Sequence, residues 1–182
     1  MRPSKDEYFI ALAKAVAARA TCLRRSVGCV LVDDLGHILA TGYNGRASGL
    51  PHCNESTGFN FVYANGIDKS KQLTGQSTGR IDVFGNACAG GLRSDGKRWP
   101  SGRHLDACEA IHAEQNALLQ CNDVQKIKSC YVTVSPCITC VKLLLNTSCQ
   151  RIVFVERYAH DEAAWNLWNQ LSREWINIVI SN

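Results

Sequence analysis

The sequence predicts an α/β protein: a single domain of 182 residues, folded as a three-layer α/β/α sandwich around a five-stranded mixed sheet. Three observations predict it. A capped run with helix period opens the chain, two short β-rich runs flank a turn cluster, and helix-like and strand-like segments alternate from about residue 107 onward. A hairpin followed by such alternation puts antiparallel and parallel neighbours in one sheet, with helices on its faces.

Ser4 and Glu7, three apart, form a capping box ahead of Phe9, Leu12, Val16 and Ala20, which repeat with helix period over about fifteen residues. Val27–Val32 and His37–Tyr43 read as apolar strands around the turn Asp33-Asp34-Leu35-Gly36, and Gly42-Tyr43-Asn44-Gly45 reads as the loop that follows. From about Asn54 to Arg103 the periodicity disappears into Gly, Ser, Asn and charge. That is too long for an ordinary connection, so it is either a functional insertion or a segment anchored by something else, and not a second domain.

Next, Ile111, Gln115, Leu118 and Leu119 give helical spacing, with Ala113 and Ala117 favouring helix. Cys130–Val134 is a strand leading into Pro136, read as a first-turn proline, and a helix through Val141, Leu144 and Leu145. Arg151–Glu156 is the next strand. Asp161–Ser172 reads as a helix with Trp165, Trp168 and Leu171 on one face, as core or subunit contacts, and Ile176–Ile180 closes as the last strand. The helix starts at His112 and at Pro136-Cys137 are then expected at one edge of the sheet.

Composition narrows the function classes. Hydrophobic residues make up 46% and charged residues 20%, ordinary for a globular protein. No apolar run reaches membrane-spanning length, and Lys5, Asp6, Glu7, Lys14 and Arg19 interrupt any secretory core, which points to the cytoplasm. Ten cysteines in such a chain read as metal ligands plus reduced thiols, with Cys29, Cys88, Cys121, Cys130 and Cys149 buried or incidental. A net charge of +4 suits a small anionic ligand and falls short of a nucleic-acid polymer binder.

The chemistry concentrates in His112-Ala-Glu114 and Pro136-Cys137-Ile-Thr-Cys140. Cysteines three apart put both sulfurs on one side of a helical turn, and His112 from a neighbouring helix start completes a Cys₂His set with a fourth tetrahedral position for water. Helix N-termini aimed at one point hold the sulfurs ionised. Glu114, two residues past the ligand, stands where a proton shuttle is needed. Taken singly, the cysteine pair fits a structural zinc clip or a redox pair, His112 an ordinary helix histidine, and Glu114 a solvated first-turn acid. Their joint spacing matches the H-x-E…P-C-x-x-C signature of zinc deaminases.

On these residues the chain resembles the cytidine deaminase superfamily, and within it the deoxycytidylate (dCMP) deaminases. The narrower likeness rests on Val27-Gly28, Gly42-Tyr-Asn-Gly45, Ser48-Gly-Leu-Pro-His-Cys53, His112-Ala-Glu-Gln-Asn-Ala117 and Tyr131-Val-Thr-Val-Ser-Pro-Cys137. The resemblance implies a cytidine deaminase-like fold and hydrolysis of dCMP to dUMP and ammonia, feeding thymidylate synthesis. His112, Cys137 and Cys140 would bind the catalytic zinc, with Glu114 as proton shuttle. Asn44, Ser135 and Tyr158 would meet the substrate. Arg24 and the loop Gly42, Tyr43, Asn44 and Gly45 would belong to an effector site, where dCTP activates and dTTP with Mg²⁺ inhibits a hexamer.

The resemblance also implies a structural zinc: Cys22 and Cys53 match two of its positions, and His104 and Cys108 would supply the others. Such a site would anchor both ends of the long insertion. Arg24 and Arg25 suit a nucleotide phosphate, or else form a solvated edge. Two other readings stand beside this one. The first is a zinc deaminase acting on a free base, a nucleoside, dCTP or a tRNA adenosine; the second is a zinc-stabilised interaction module without catalysis.

Overall fold

Ser4 starts the first helix as its spacing requires. In the computed structural model, which describes residues 2–54, 60–61, 81–82 and 108–179, the Ser4 hydroxyl accepts the Glu7 backbone N–H at 3.2 Å and Glu7 answers by accepting the Ser4 N–H at 2.7 Å. This helix, α1, spans Lys5–Ala17. Strands β1 (Gly28–Val32) and β2 (Ile38–Tyr43) follow as an antiparallel hairpin. Its turn holds Gly36 at φ 91°, a conformation glycine adopts without strain.

A short antiparallel pair, β3 (Asn60–Phe61) and β4 (Ile81–Asp82), falls within the stretch expected to be irregular. The rest of that stretch beyond Asn54, including Cys88, lies outside the described residues, as does His104. The chain continues with α2 (Ala113–Gln120), β5 (Ser129–Val134), α3 (Ile138–Leu145), β6 (Arg151–Glu156), α4 (Glu162–Asn169) and β7 (Glu174–Asn177). The main sheet runs β2-β1-β5-β6-β7, antiparallel through β5 and parallel from β5 to β7. This is the expected five-stranded mixed sheet.

Every residue of β1 and β5 is buried, because both sheet faces are covered. Strand alternation deals the side chains to two cores. Val30, Val32, Tyr131 and Val153 pack under α1 against Phe9, Ile10 and Ala13. Cys29, Leu31, Cys130, Val132, Ile152 and Phe154 face the layer formed by α2, α3 and α4. Two glycines set how closely helices approach. A Cβ on Gly28 would lie 2.1 Å from the Ala13 carbonyl oxygen, and one on Gly42 would lie 2.2 Å from that of Ala113. Helix backbone therefore rests directly on strand backbone at both places.

That closeness corrects the expected face of α2. Ala113, Glu114 and Ala117 point inward, while Leu119 is exposed, since large side chains do not fit where Gly42 meets the helix. The α4 face is also split: Ala164 and Trp168, four apart, are fully buried, whereas Trp165 and Leu171 are exposed, Leu171 lying beyond the helix end. The last strand begins at Glu174 instead of Ile176, its register set by pairing of Glu174 with Arg151, both across the sheet and through an ion pair at 3.1 Å. Asn177 ends it by donating its side-chain amide to the Val155 carbonyl at 2.7 Å. Pro136 precedes the cap residue Cys137 and so stands outside α3, and the two ligand-bearing helix starts meet at the C-terminal end of the central strand β5, away from the sheet edges.

Candidate active site

His112 and Cys137 are the cap residues of α2 and α3, and Cys140 lies in the first turn of α3. Extended backbone at each cap turns the side chain toward the space where the two helix starts meet. The entry to α2 is fixed from several sides. Ile111 and Gly45 exchange backbone hydrogen bonds at 2.8 and 3.2 Å, the Gln115 side chain accepts the His112 N–H at 2.9 Å, and Asn116 donates to the Tyr43 carbonyl at 2.7 Å. None of Gln115, Asn116 and the Gly45–Ile111 bridge was visible as a positioning device in the sequence, since their partners are set by the fold.

His112 Nδ1 lies 3.4 Å from both Cys137 Sγ and Cys140 Sγ, and the sulfurs are 3.7 Å apart. Tetrahedral coordination by zinc, with Zn–S of about 2.3 Å and Zn–N of about 2.0–2.1 Å, calls for edges of about 3.8 Å and 3.5–3.6 Å. The donor set therefore fits zinc in both chemistry and spacing. Among the described residues this is the one set of three or more His, Cys, Asp or Glu side chains gathered to metal-binding distance. Cys22, Cys53 and Cys108 do not close into such a set among the described residues, and His104 lies outside them. No disulfide joins the described cysteines.

Charge within the set is organised for a cation. Hydrogen bonds from Cys140 and then His112 pull the Cys137 thiol down to about 4, and the ionised sulfur in turn raises His112 to about 9. Cys140 is pushed up by its hydrogen bond to that thiolate and by burial. Zinc binding would displace the protons that Cys140 and His112 hold without it. Glu114, 4% exposed, has its carboxyl raised above the usual range by burial.

A cavity of about 670 Å³ opens at this point. His112, Glu114 and Cys137 line one part of it, and Asn44, Ser135, Tyr158, Arg24 and Arg25 line others, together with Cys22 and Cys108. Gly42, Tyr43, Gly45 and Cys53 are not among its described lining residues. Gly42 instead sits under α2, and Tyr43 anchors Asn116 through its carbonyl. Asn44 is almost fully occupied by the backbone of the segment before β1: its Oδ1 accepts the Val27 N–H at 2.8 Å and its Nδ2 donates to the Arg25 carbonyl at 2.8 Å. It therefore braces the segment that brings both arginines to the cavity.

Four further residues emerge from the geometry and not from the sequence. His160 lines the cavity with its ring edge-to-face against Tyr158, 5.6 Å between centroids. Asp161 and Arg157 bracket the same loop. Arg46, next to the Gly-Tyr-Asn-Gly run, ion-pairs with Glu109 just ahead of the histidine and donates to the Pro51 carbonyl at 3.0 Å. The one local signal was Asp161 directly before a helical run, where an acid caps; its side chain turns away from that role.

Comparison with known proteins agrees with this arrangement. The family model described as the cytidine and deoxycytidylate deaminase zinc-binding region matches residues 3–156. The chain is 32% identical over 154 residues to the deoxycytidylate deaminase of Mycobacterium phage D29, covering 84% of this chain and 95% of that protein. It is 30% identical over 169 residues to the deoxycytidylate deaminase of Saccharomyces cerevisiae, covering 92% of this chain but 42% of the yeast protein, so it spans about two-fifths of that relative's length. The crystal structure of the dCMP deaminase from cyanophage S-TIM5, in complex with dCMP and dUMP, superposes with a TM-score of 0.60 at 23% identity over 98% of this chain and 99% of that one, a likeness of fold. By the reach of the family model and the phage relative, the chain belongs to the cytidine and deoxycytidylate deaminase family.

Proposed function

We propose that this chain hydrolyses dCMP to dUMP and ammonia. The observation that carries the reading is one cavity that joins the Cys₂His set and a buried carboxylate to two arginines and an aromatic ring. Relatives named deoxycytidylate deaminase support the choice of substrate, as does the bound dCMP and dUMP of the cyanophage enzyme.

His112, Cys137 and Cys140 would hold the zinc, which when bound supplies Lewis acidity and makes water nucleophilic near neutral pH. The remaining work falls to side chains. Glu114, with its raised carboxyl, takes the proton released as water adds to C4 of the pyrimidine and passes it to ring N3. It then delivers the second proton to the amino nitrogen, the C4–N bond breaks, and ammonia leaves with the uracil carbonyl in place. Water in and ammonia out balance the step without a redox partner. Tyr158 supplies a ring face or edge for the base, and the guanidinium forks of Arg24 and Arg25 suit the 5′-phosphate. The net charge of +4 accords with an anionic mononucleotide.

The regulatory part of the reading rests on family likeness: activation by dCTP, inhibition by dTTP with Mg²⁺, a homohexamer, a cytoplasmic setting, and a second zinc on Cys22, Cys53, His104 and Cys108. No helix among the described residues is long and apolar enough to cross a membrane. Ammonia release from dCMP, deoxycytidine and dCTP, measured in parallel with and without Mg-dCTP or Mg-dTTP, tests both parts. Fast turnover of dCMP over the other two is expected, with suppression by dTTP. No release from any of the three by protein holding zinc overturns the nucleotide assignment.

A further inference from the structure

Ser135 and Asp161 are both buried, and neither carries out the chemistry derived above. The Ser135 hydroxyl accepts the Tyr158 backbone N–H at 2.7 Å and donates to Asp161 Oδ2 at 3.0 Å. A hydroxyl has one proton to give, and here Asp161 has it. The other demands on Asp161 come from the same loop. Its carboxylate accepts from Arg157 Nε at 3.1 Å and Nη2 at 3.0 Å, and its backbone N–H bonds the Tyr158 carbonyl at 3.1 Å. The Ser135 backbone N–H reaches the Glu156 carbonyl at 2.8 Å, joining the ends of β5 and β6.

The loop from Arg157 to Asp161 is therefore closed on itself and fastened to a residue two positions before the ligand Cys137. That loop carries Tyr158 and His160 into the cavity. We propose that Ser135 and Asp161 are positioning residues: a buried hydroxyl–carboxylate clamp that fixes Tyr158 over the cavity, so that nucleotide affinity depends on it and the metal-site chemistry does not. This gives Ser135 a role behind Tyr158 in place of a direct substrate contact. Preorganising an aromatic contact in this way removes the ordering cost that binding would otherwise meet. The inference rests on the nucleotide reading of the same cavity.

Two measurements on the zinc-loaded protein decide it. Backbone hydrogen exchange reports the clamp without reference to activity: Ser135→Ala should speed exchange of amides 157–161 about tenfold, the worth of one hydrogen bond, and leave α3 unchanged. Kinetics report its purpose: the same variant should raise KM for dCMP about tenfold with kcat within about twofold and zinc content unchanged. Asp161→Asn should move KM in the same direction by less, because an amide oxygen still accepts from Ser135. Added to Tyr158→Ala, Ser135→Ala should change KM by less than about twofold, since its effect passes through Tyr158.

A fall in kcat or zinc content at unchanged KM overturns the proposal, and so does a full additional effect in the Tyr158→Ala background. If the wild-type protein fails to turn over dCMP, the nucleotide reading falls and the exchange experiment still judges the clamp. Unchanged exchange at 157–161 then rejects it.

Discussion

Glu114 carries a carboxyl group surrounded by protein, two residues from the candidate ligand His112. Removing its ionisable oxygen while keeping its shape isolates the proton shuttle. Glu114→Gln should retain zinc and lose about 10²–10⁴ in kcat, measured by ammonia release alongside metal analysis. Zinc loss together with unfolding would instead mark a structural site. Arg25 offers a second residue-level test. Losing one charge-assisted contact to a phosphate costs about 1.5–3 kcal/mol, so Arg25→Ala should raise KM for dCMP about 10- to 100-fold and leave deoxycytidine unaffected.

The candidate metal set could be read from the sequence because its spacing is local: two residues separate the cysteines and one separates His112 from Glu114. Asn44 and Ser135 stood out in the sequence for a substrate role. Their hydrogen-bond partners, 17 to 26 residues away in the chain, come from folding. No local pattern carries that information.

At the scale of elements, the two glycine contacts make separable predictions. Gly28→Ala and Gly42→Ala each push a methyl group into helix backbone, and each should cost about 1–3 kcal/mol or more of stability in thermal or denaturant unfolding. Gly28 faces α1, so zinc affinity should survive in the folded fraction. Gly42 faces the first turns of α2, so its variant should also weaken zinc binding by displacing His112. Equal zinc affinity in both variants would show that α2 is not positioned by this contact.

The link between α1 and the sheet predicts a pH response. Burial, and then the hydrogen bond it donates to Asp6 at 2.7 Å, raise the Tyr131 phenol to about 12. The folded state thus favours the neutral phenol. Its stabilising contribution is complete below the unfolded value of about 10 and is lost as pH rises through about 12. Unfolding free energy should fall with pH across that window, and Tyr131→Phe should flatten the slope.

Element identity was legible where the signal is short-range: the Ser4–Glu7 box, the turn at Gly36 and the apolar run of β1 were all readable. The inward face of α2 was not, because alanines are chosen there by a glycine seventy residues away. The start of β7 was also hidden, since its register comes from Arg151 on the neighbouring strand.

Across the whole molecule, the two cores close over both faces of the sheet without help from the metal ligands, apart from Cys140 at the rim of α3. Stripping the catalytic zinc with a chelator should therefore abolish turnover while far-UV circular dichroism keeps its α/β signature, and added zinc should restore activity. Collapse of the fold on chelation would contradict this, and would point to a metal that holds the architecture together.

The fold places a candidate metal set, a buried acid and two arginines around one cavity at the end of β5. The most direct measurement is conversion of dCMP to dUMP followed by loss of cytosine absorbance, in wild-type and Glu114→Gln proteins each shown to hold zinc. Rapid conversion by the first and a near-complete loss in the second are expected. No conversion by zinc-loaded wild type, or equal rates in the two proteins, would contradict the proposed activity.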